Sequence, residues 1–333
     1  MSIRPYLMAL SLATLLLASC NDDEPEIPTT TTHVKNQNAN AYVAPGQGIT
    51  EKTSTITPAE AARRLEMPRL KGGADNLFIV HTVPSLGVNY CMEYDCSALA
   101  SRWTAYQWYT GFSTNVKDDT GKSAWNRNQW KYGATYNGYG GDGDPFQPDP
   151  LIPREYRTEL EDHRSNGYDR GHMLGSADRL NSKEANGQTF YLSNMHPQSG
   201  PFNQGGIWYT LEGKLRDQYD KSSFRDTLYV VKGGTIDNGQ YSTVKGASGR
   251  RLIVPKSFFM ALLCKNKSQS QGGYKAIAFW MEHKDNYVTN PTPYAISIDE
   301  LEKKTGIDFF CNLPDGLEET IEANCAPAAW GLK

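Results

Sequence analysis

The chain has 333 residues, 38% of them hydrophobic, and a formal net charge of −3 at pH 7. That charge excludes the strongly basic proteins that coat nucleic acid by bulk phosphate neutralisation, while a local positive groove still fits within a mildly acidic whole. No internal repeat is visible, so a solenoid or propeller is excluded and one domain with a sizeable core is expected.

Residues 1–19 have a basic start at Arg4 and an apolar run from Leu7 to Leu17. The run is shorter than the about 20 apolar residues that span a bilayer, and it has the design of a secretory signal. Leu17-Ala18-Ser19-Cys20 resembles a bacterial lipobox, which implies cleavage before Cys20 and lipidation of its thiol. The mature chain would then be exported and tethered to the cell envelope, at the outer membrane or cell surface, without crossing it. Residues 20–57 are acidic, then rich in Thr and Asn, and read as a flexible stalk because they have too little apolar surface to offset their chain entropy. Thr57 is a candidate N-cap for a short helix over Pro58–Glu66 that opens a domain over residues 58–333.

Within the domain, strand-like runs cover Leu77–Thr82, Ser101–Tyr109, Thr227–Val231 and Tyr274–Trp280. Helical patterns cover Gly206–Tyr219 and Ser297–Thr305. An α+β architecture with a central antiparallel sheet flanked by helices follows. Between Lys131 and Pro153 lies a loop rich in Gly, Asp, Tyr and Pro, whose spacing fails the EF-hand template and whose tyrosines could stack on bases.

The chemistry concentrates in Gly167–Arg179. Asp169, Arg170 and His172 fall within four residues, and Gly171 permits a bend that a side chain would obstruct. A histidine between a carboxylate and guanidinium groups can stay neutral at working pH and take a proton from water. A little downstream, Asn194, Gln198, Asn203 and Gln204 supply neutral amide oxygens, which suit a hard, hydrated cation such as Mg²⁺. Helical spacing puts Glu212 and Arg216 four apart on one face. Arg154, Arg157, Arg164, Arg170, Arg179 and Lys183 form a basic cluster around these residues in sequence.

Asp169-Arg170-Gly171-His172, followed by Asn194-x-x-Pro197-Gln198 and Asn203-Gln204-Gly205 with Trp208, resembles the DNA/RNA non-specific endonucleases of the ββα-metal class. The resemblance continues weakly over Asn76–Asn324 and implies a six-stranded core flanked by helices, carrying a ββα-metal motif. It further implies His172 as general base, Asn203 as the Mg²⁺ ligand with Mn²⁺ as a substitute, and Glu212 as the residue that orients water on the metal. Arg170 and Arg216 would hold the phosphate, Arg127 would be a further phosphate contact, and Asp169 and Asn194 would complete the site. The substrates implied are DNA and RNA, cleaved to 5′-phosphates. A non-catalytic surface lipoprotein that binds nucleic acid or carbohydrate on the same scaffold is the competing reading.

Six cysteines are present. With Cys20 acylated, Cys91 with Cys96 and Cys311 with Cys325 are the natural local disulfides of an exported protein, leaving Cys264 as a buried free thiol. His81 and His283 call for core or surface roles only, whereas His196 sits nearer the chemistry. Neither His-Glu-x-x-His nor Gly-x-Ser-x-Gly occurs, which removes two common hydrolase patterns.

Overall fold

A computed structural model describes residues 36–333 apart from 41–42, 44–46, 132–134, 142–143 and 267–272. The signal segment and Cys20 therefore lie outside the described residues, as do Asp142 and Gly143 of the glycine-rich loop.

Six long strands form the body of the sheet: β2 (Asn76–Val83), β3 (Gly87–Asp95), β4 (Ala100–Trp108), β7 (Thr227–Gly234), β8 (Ser257–Lys265) and β9 (Tyr274–Glu282). They lie side by side in the order β2-β3-β4-β7-β8-β9, every neighbouring pair antiparallel. Two short strands extend the edges, β1 (Gly48–Thr50) parallel to β2 and β10 (Ala295–Ile296) antiparallel to β9. The expected six-stranded antiparallel core is thus present, lengthened by one short strand on each side.

Both faces of this sheet are buried, and side chains alternate between them as the pleat requires. In β8, Phe258, Met260, Leu262 and Cys264 join one hydrophobic cluster, while Phe259, Ala261 and Leu263 join the other. On the first face lie Met173, Leu174, Phe202, Ile207, Trp208 and Leu211, the apolar side of the motif region. On the second lie helix α4 (Ile298–Thr305), through Ile298 and Leu301, and helix α5 (Asp315–Glu322), through Ile321. Trp208 is fully buried, with its ring centroid 6.0 Å from Phe202 and 5.5 Å from Phe258. Truncating it to alanine would cost about 3–5 kcal/mol, because it fastens the motif helices to the sheet.

The same alternation overturns the expected disulfides. Cys91 and Cys96 are five apart, an odd number, so they point to opposite faces: Cys91 packs in the second cluster and Cys96 in the first. Cys311 accepts a hydrogen bond from Asn40 on one side of the molecule, and Cys325 packs against the first cluster on the other. All five described cysteines are free thiols. Cys264 is buried as expected, its Sγ donating to the Phe224 carbonyl at 3.3 Å.

The stretch before Thr57 also departs from its composition. Asn40 is 7% exposed, donates to the carbonyls of Ala62 and Pro68, and accepts from Leu70 N–H. Gly48–Thr50 adds a strand to the sheet, and Glu51 reaches a buried histidine. From Asn36 onward the described part of the supposed stalk is fastened to the domain, because a few well-placed amide and carboxylate contacts offset the entropy that composition alone leaves unopposed. Helix α1 (Pro58–Ala61) does begin at Thr57, in a capping box with Glu60, but it is four residues long.

Candidate active site

The motif forms two short antiparallel strands and a helix. Strand β5 (Asp169–His172) pairs with β6 (Met195–Gln198), Asp169 opposite Gln198 and His172 opposite Met195. Helices α2 (Gly200–Gln204) and α3 (Ile207–Lys214) follow. Ser199 caps α2, and its own N–H donates to His283 Nε2 at 2.8 Å while His283 Nδ1 donates to the Pro255 carbonyl. His283 therefore anchors the start of the helix that bears Asn203 to the main sheet.

Gly171 is required by packing rather than by a bend. A Cβ built there would lie 2.2 Å from the Gln198 side chain, so any larger residue would have to displace that buried side chain. Arg170 and His172, two apart on the strand, project to one face and meet Phe146. The guanidinium of Arg170 lies 3.8 Å from the Phe146 ring centroid, and His172 sits between Phe146 (5.4 Å) and Phe190 (5.6 Å). Arg127 covers the same phenylalanine at 5.6 Å.

His172 is half-buried, and its Nε2 is buried without a hydrogen-bond partner. Burial first, then the charges of Arg127, Lys232 and Arg170, pushes the imidazole down to about 3, so it is neutral throughout the physiological range. That neutrality agrees with a proton-accepting role, although the expectation of an imidazole near a carboxylate is not met: the Asp169 carboxylate accepts from Asn203 Nδ2 at 3.1 Å and Gln204 Nε2 at 2.7 Å.

Those two bonds orient Asn203. With its Nδ2 committed to Asp169, the Oδ1 accepts no hydrogen bond from the described residues and borders a cleft of about 570 Å³. Arg127, Phe146, Arg164, Arg170 and Asp169 line the same space, with Tyr209 at its rim, 54% exposed. A free amide oxygen at a cleft lined by arginines suits one hydrated hard cation, held weakly by the protein and shared with an anionic ligand, whereas His172 is not among the residues that line this cleft. Asn203 is the residue that would hold it.

Glu212 and Arg216 do share a face, despite a π-helical turn over Leu215–Tyr219 that follows α3. They meet through two residues that sequence reasoning missed. Lys232, fully buried on β7, lies 3.1 Å from Glu212 and 3.9 Å from Asp178, and Arg216 lies 3.0 Å from Asp178. Burial raises the Glu212 carboxyl above its ordinary range, Lys232 and Arg216 oppose this, and Asp178 adds to it. Two cations and two carboxylates so compensate one another beside the histidine, and the charge of Lys232 reaches His172.

Asn194 is fully buried and faces away from the cleft: its amide accepts from Leu174 N–H and donates to the carbonyls of Leu174 and Thr189. It clamps the backbone that leaves His172. His196 is likewise buried, bonded to the Ser101 carbonyl. The basic cluster is divided. Arg164 and Arg170 share Asp144 at the cleft, whereas Arg179 is fully buried against Asn89 and Gln107, and Arg157 pairs with Glu159.

A ββα strand-strand-helix unit on a mixed sheet, with a neutral histidine on its first strand and an amide among three arginines at one cleft, fits a hydrolase of the nuclease type. A model of the DNA/RNA non-specific endonuclease family matches residues 89–316; the chain belongs to that family and is a nuclease. It is 31% identical to "Nuclease C1" of Cunninghamella echinulata var. echinulata over 54% of this chain and 71% of that one. It is 35% identical to a nuclease of Syncephalastrum racemosum over 52% and 56%, and 30% identical to a nuclease of Nostoc sp. over 58% and 69%. Among solved structures, a chain from the crystal structure of an EndoG/EndoGI complex matches with a TM-score of 0.51 at 23% identity, over 67% of this chain and 84% of that one. This likeness shows the fold.

Proposed function

We propose that the protein is a metal-dependent endonuclease that hydrolyses DNA and RNA with little sequence preference and leaves 5′-phosphates. The observation that carries the reading is His172, neutral and with an unpartnered Nε2, among the positive charges of Arg127, Arg170 and Lys232. A diester bound at Arg170 and Arg127 would offset those charges, and the imidazole would become a stronger base as substrate arrives. His172 then removes a proton from the attacking water, and Arg170 meets the charge that develops on phosphorus. Glu212, Lys232, Asp178 and Arg216 hold that electrostatic setting in place. Mg²⁺ held by Asn203, or Mn²⁺ in its stead, would supply charge neutralisation at the departing 3′ oxygen. Tyr209, at the rim, offers a face on which bases of any sequence stack. A purely binding role is not favoured, since binding gives no use to a neutral imidazole left without a partner on the motif strand.

Digestion of plasmid DNA and of RNA, with Mg²⁺ and with chelator, tests this. Wild type is expected to cut both polymers only with metal, and Asn203→Ala to require far more metal. Undiminished cleavage by His172→Ala would dismiss the mechanism.

We infer further that the chain is exported and lipid-anchored at Cys20, supported by the apolar run and by Leu17-Ala18-Ser19-Cys20. Cys20→Ser should move the protein from the membrane fraction to the soluble one; an unchanged distribution would remove the anchor.

A further inference from the structure

The face of the sheet opposite the nuclease cleft carries a second concentration of charge, of the other sign. Helices α4 and α5 and the segment Gln37–Asn38 enclose a cleft of about 710 Å³, lined by seven carboxylates and a single lysine, Lys303, among the described residues. Carboxylate oxygens of Asp299, Glu302 and Glu322 lie within 4.8 Å of one another. Glu302 is held in place because it accepts the Phe309 N–H at 2.8 Å.

Glu322 is the informative member. Its side chain is 4% exposed and borders the cleft, yet its Oε1 is buried without a hydrogen-bond partner. It also closes α5, where the negative end of the helix dipole disfavours a further negative charge. A buried carboxylate among other carboxylates requires either a proton or a cation.

We propose that Asp299, Glu302 and Glu322 form a second metal site, selective for Ca²⁺ and separate from the catalytic cation. Three carboxylates from two helices suit a calcium ion, which accepts six to eight oxygens in flexible geometry, better than Mg²⁺, which demands a tight octahedron. The ion bridges α4, through Asp299 and Glu302, to α5, through Glu322, and draws the two helices together. Affinity is expected in the range of about 0.1–1 mM, that of extracellular calcium modules.

The test uses full-length protein stripped with EDTA and titrated with CaCl₂, followed by calorimetry and thermal melting, for wild type, Asn203→Ala and Glu322→Gln. Wild type and Asn203→Ala should both bind calcium and melt roughly 3–8 °C higher at saturation. Glu322→Gln should lose the shift and bind at least about tenfold more weakly, yet keep its metal-dependent nuclease activity. Glu302→Gln, read in the same way, replaces Glu322→Gln if that variant fails to fold. The proposal is overturned if Asn203→Ala shows no calcium response up to about 10 mM, ten times the weakest affinity expected, or if the glutamine variant responds as wild type does. Because Asn203→Ala lacks the catalytic ligand, failure of this site and failure of the nuclease mechanism give different results.

Discussion

Two histidines, one fully buried and one half-buried, have been driven in opposite directions. His172 faces Arg127, Arg170 and Lys232 and is pushed down to about 3, whereas His81 on β2 lies 3.0 Å from both Glu51 and Asp149 and is raised to about 10 against the cost of burial. Both ring nitrogens of His81 donate to carboxylates, Ser193 donates to Asp149 at 2.5 Å, and Tyr90 and Tyr191 pack on the ring. The residue type is therefore not what makes a base. A histidine whose nitrogens are both satisfied is a charged rivet, and one left uncharged with a free nitrogen is available for chemistry.

The comparison would break most sharply on activity. His172→Ala should lower turnover of plasmid DNA by about 10²–10⁴-fold with an unchanged melting temperature, whereas any substitution of His81 should act on melting first. Next in size is stability. Asp149→Ala leaves the His81 charge buried with one partner fewer and should cost about 3–5 kcal/mol in denaturant unfolding; a loss below 1 kcal/mol would mean that the charge is not there.

The pH dependence sharpens the contrast. The folded value of His81 lies above its ordinary one, so its stabilisation is complete below about 6.5 and is lost as pH rises toward about 10. For His172 the folded value lies below the ordinary one, so the unfolded chain gains a proton first and stability falls as pH drops from about 6.5 toward about 3. Melting curves of His81→Gln should flatten on the alkaline side, and those of His172→Gln should flatten in part on the acidic side, where His163 and His196 also contribute. The smallest effect is expected at the rim: Arg127→Ala removes one phosphate contact and should lower the salt slope of DNA binding by about 1, while moving the acidic limb of activity to higher pH. An unaltered salt slope would take Arg127 out of the cleft.

Much of the site was legible because it is local. Asp169–His172 is one strand, Asn203 follows within a helical stretch, and Glu212 and Arg216 are one helical turn apart. Lys232 and Phe146 were not legible, since each comes from a different part of the chain and nothing in its own neighbourhood distinguishes it from a core or surface residue, and Asp178, though inside the motif stretch, shows its role only through Lys232 and Arg216. The strand Gly87–Asp95 escaped as well. Buried on both faces, with Asn89 and Glu93 inside, it shows no alternation of polar and apolar residues to betray its period. The stalk reading does not hold from Asn36 onward for the converse reason: a polar composition does not require solvation when residues such as Asn40 and Glu51 find buried partners.

What the sequence by itself determined was the family and the local geometry: the nuclease motif, the helical pattern over Ser297–Thr305, and four of the six long strands. Only the tertiary structure decided which histidine is neutral, which arginines face the cleft, and that the cysteines stay apart. Charge state and side-chain partnership depend on distances between residues remote in sequence, and those distances are set when the two faces of the sheet are packed.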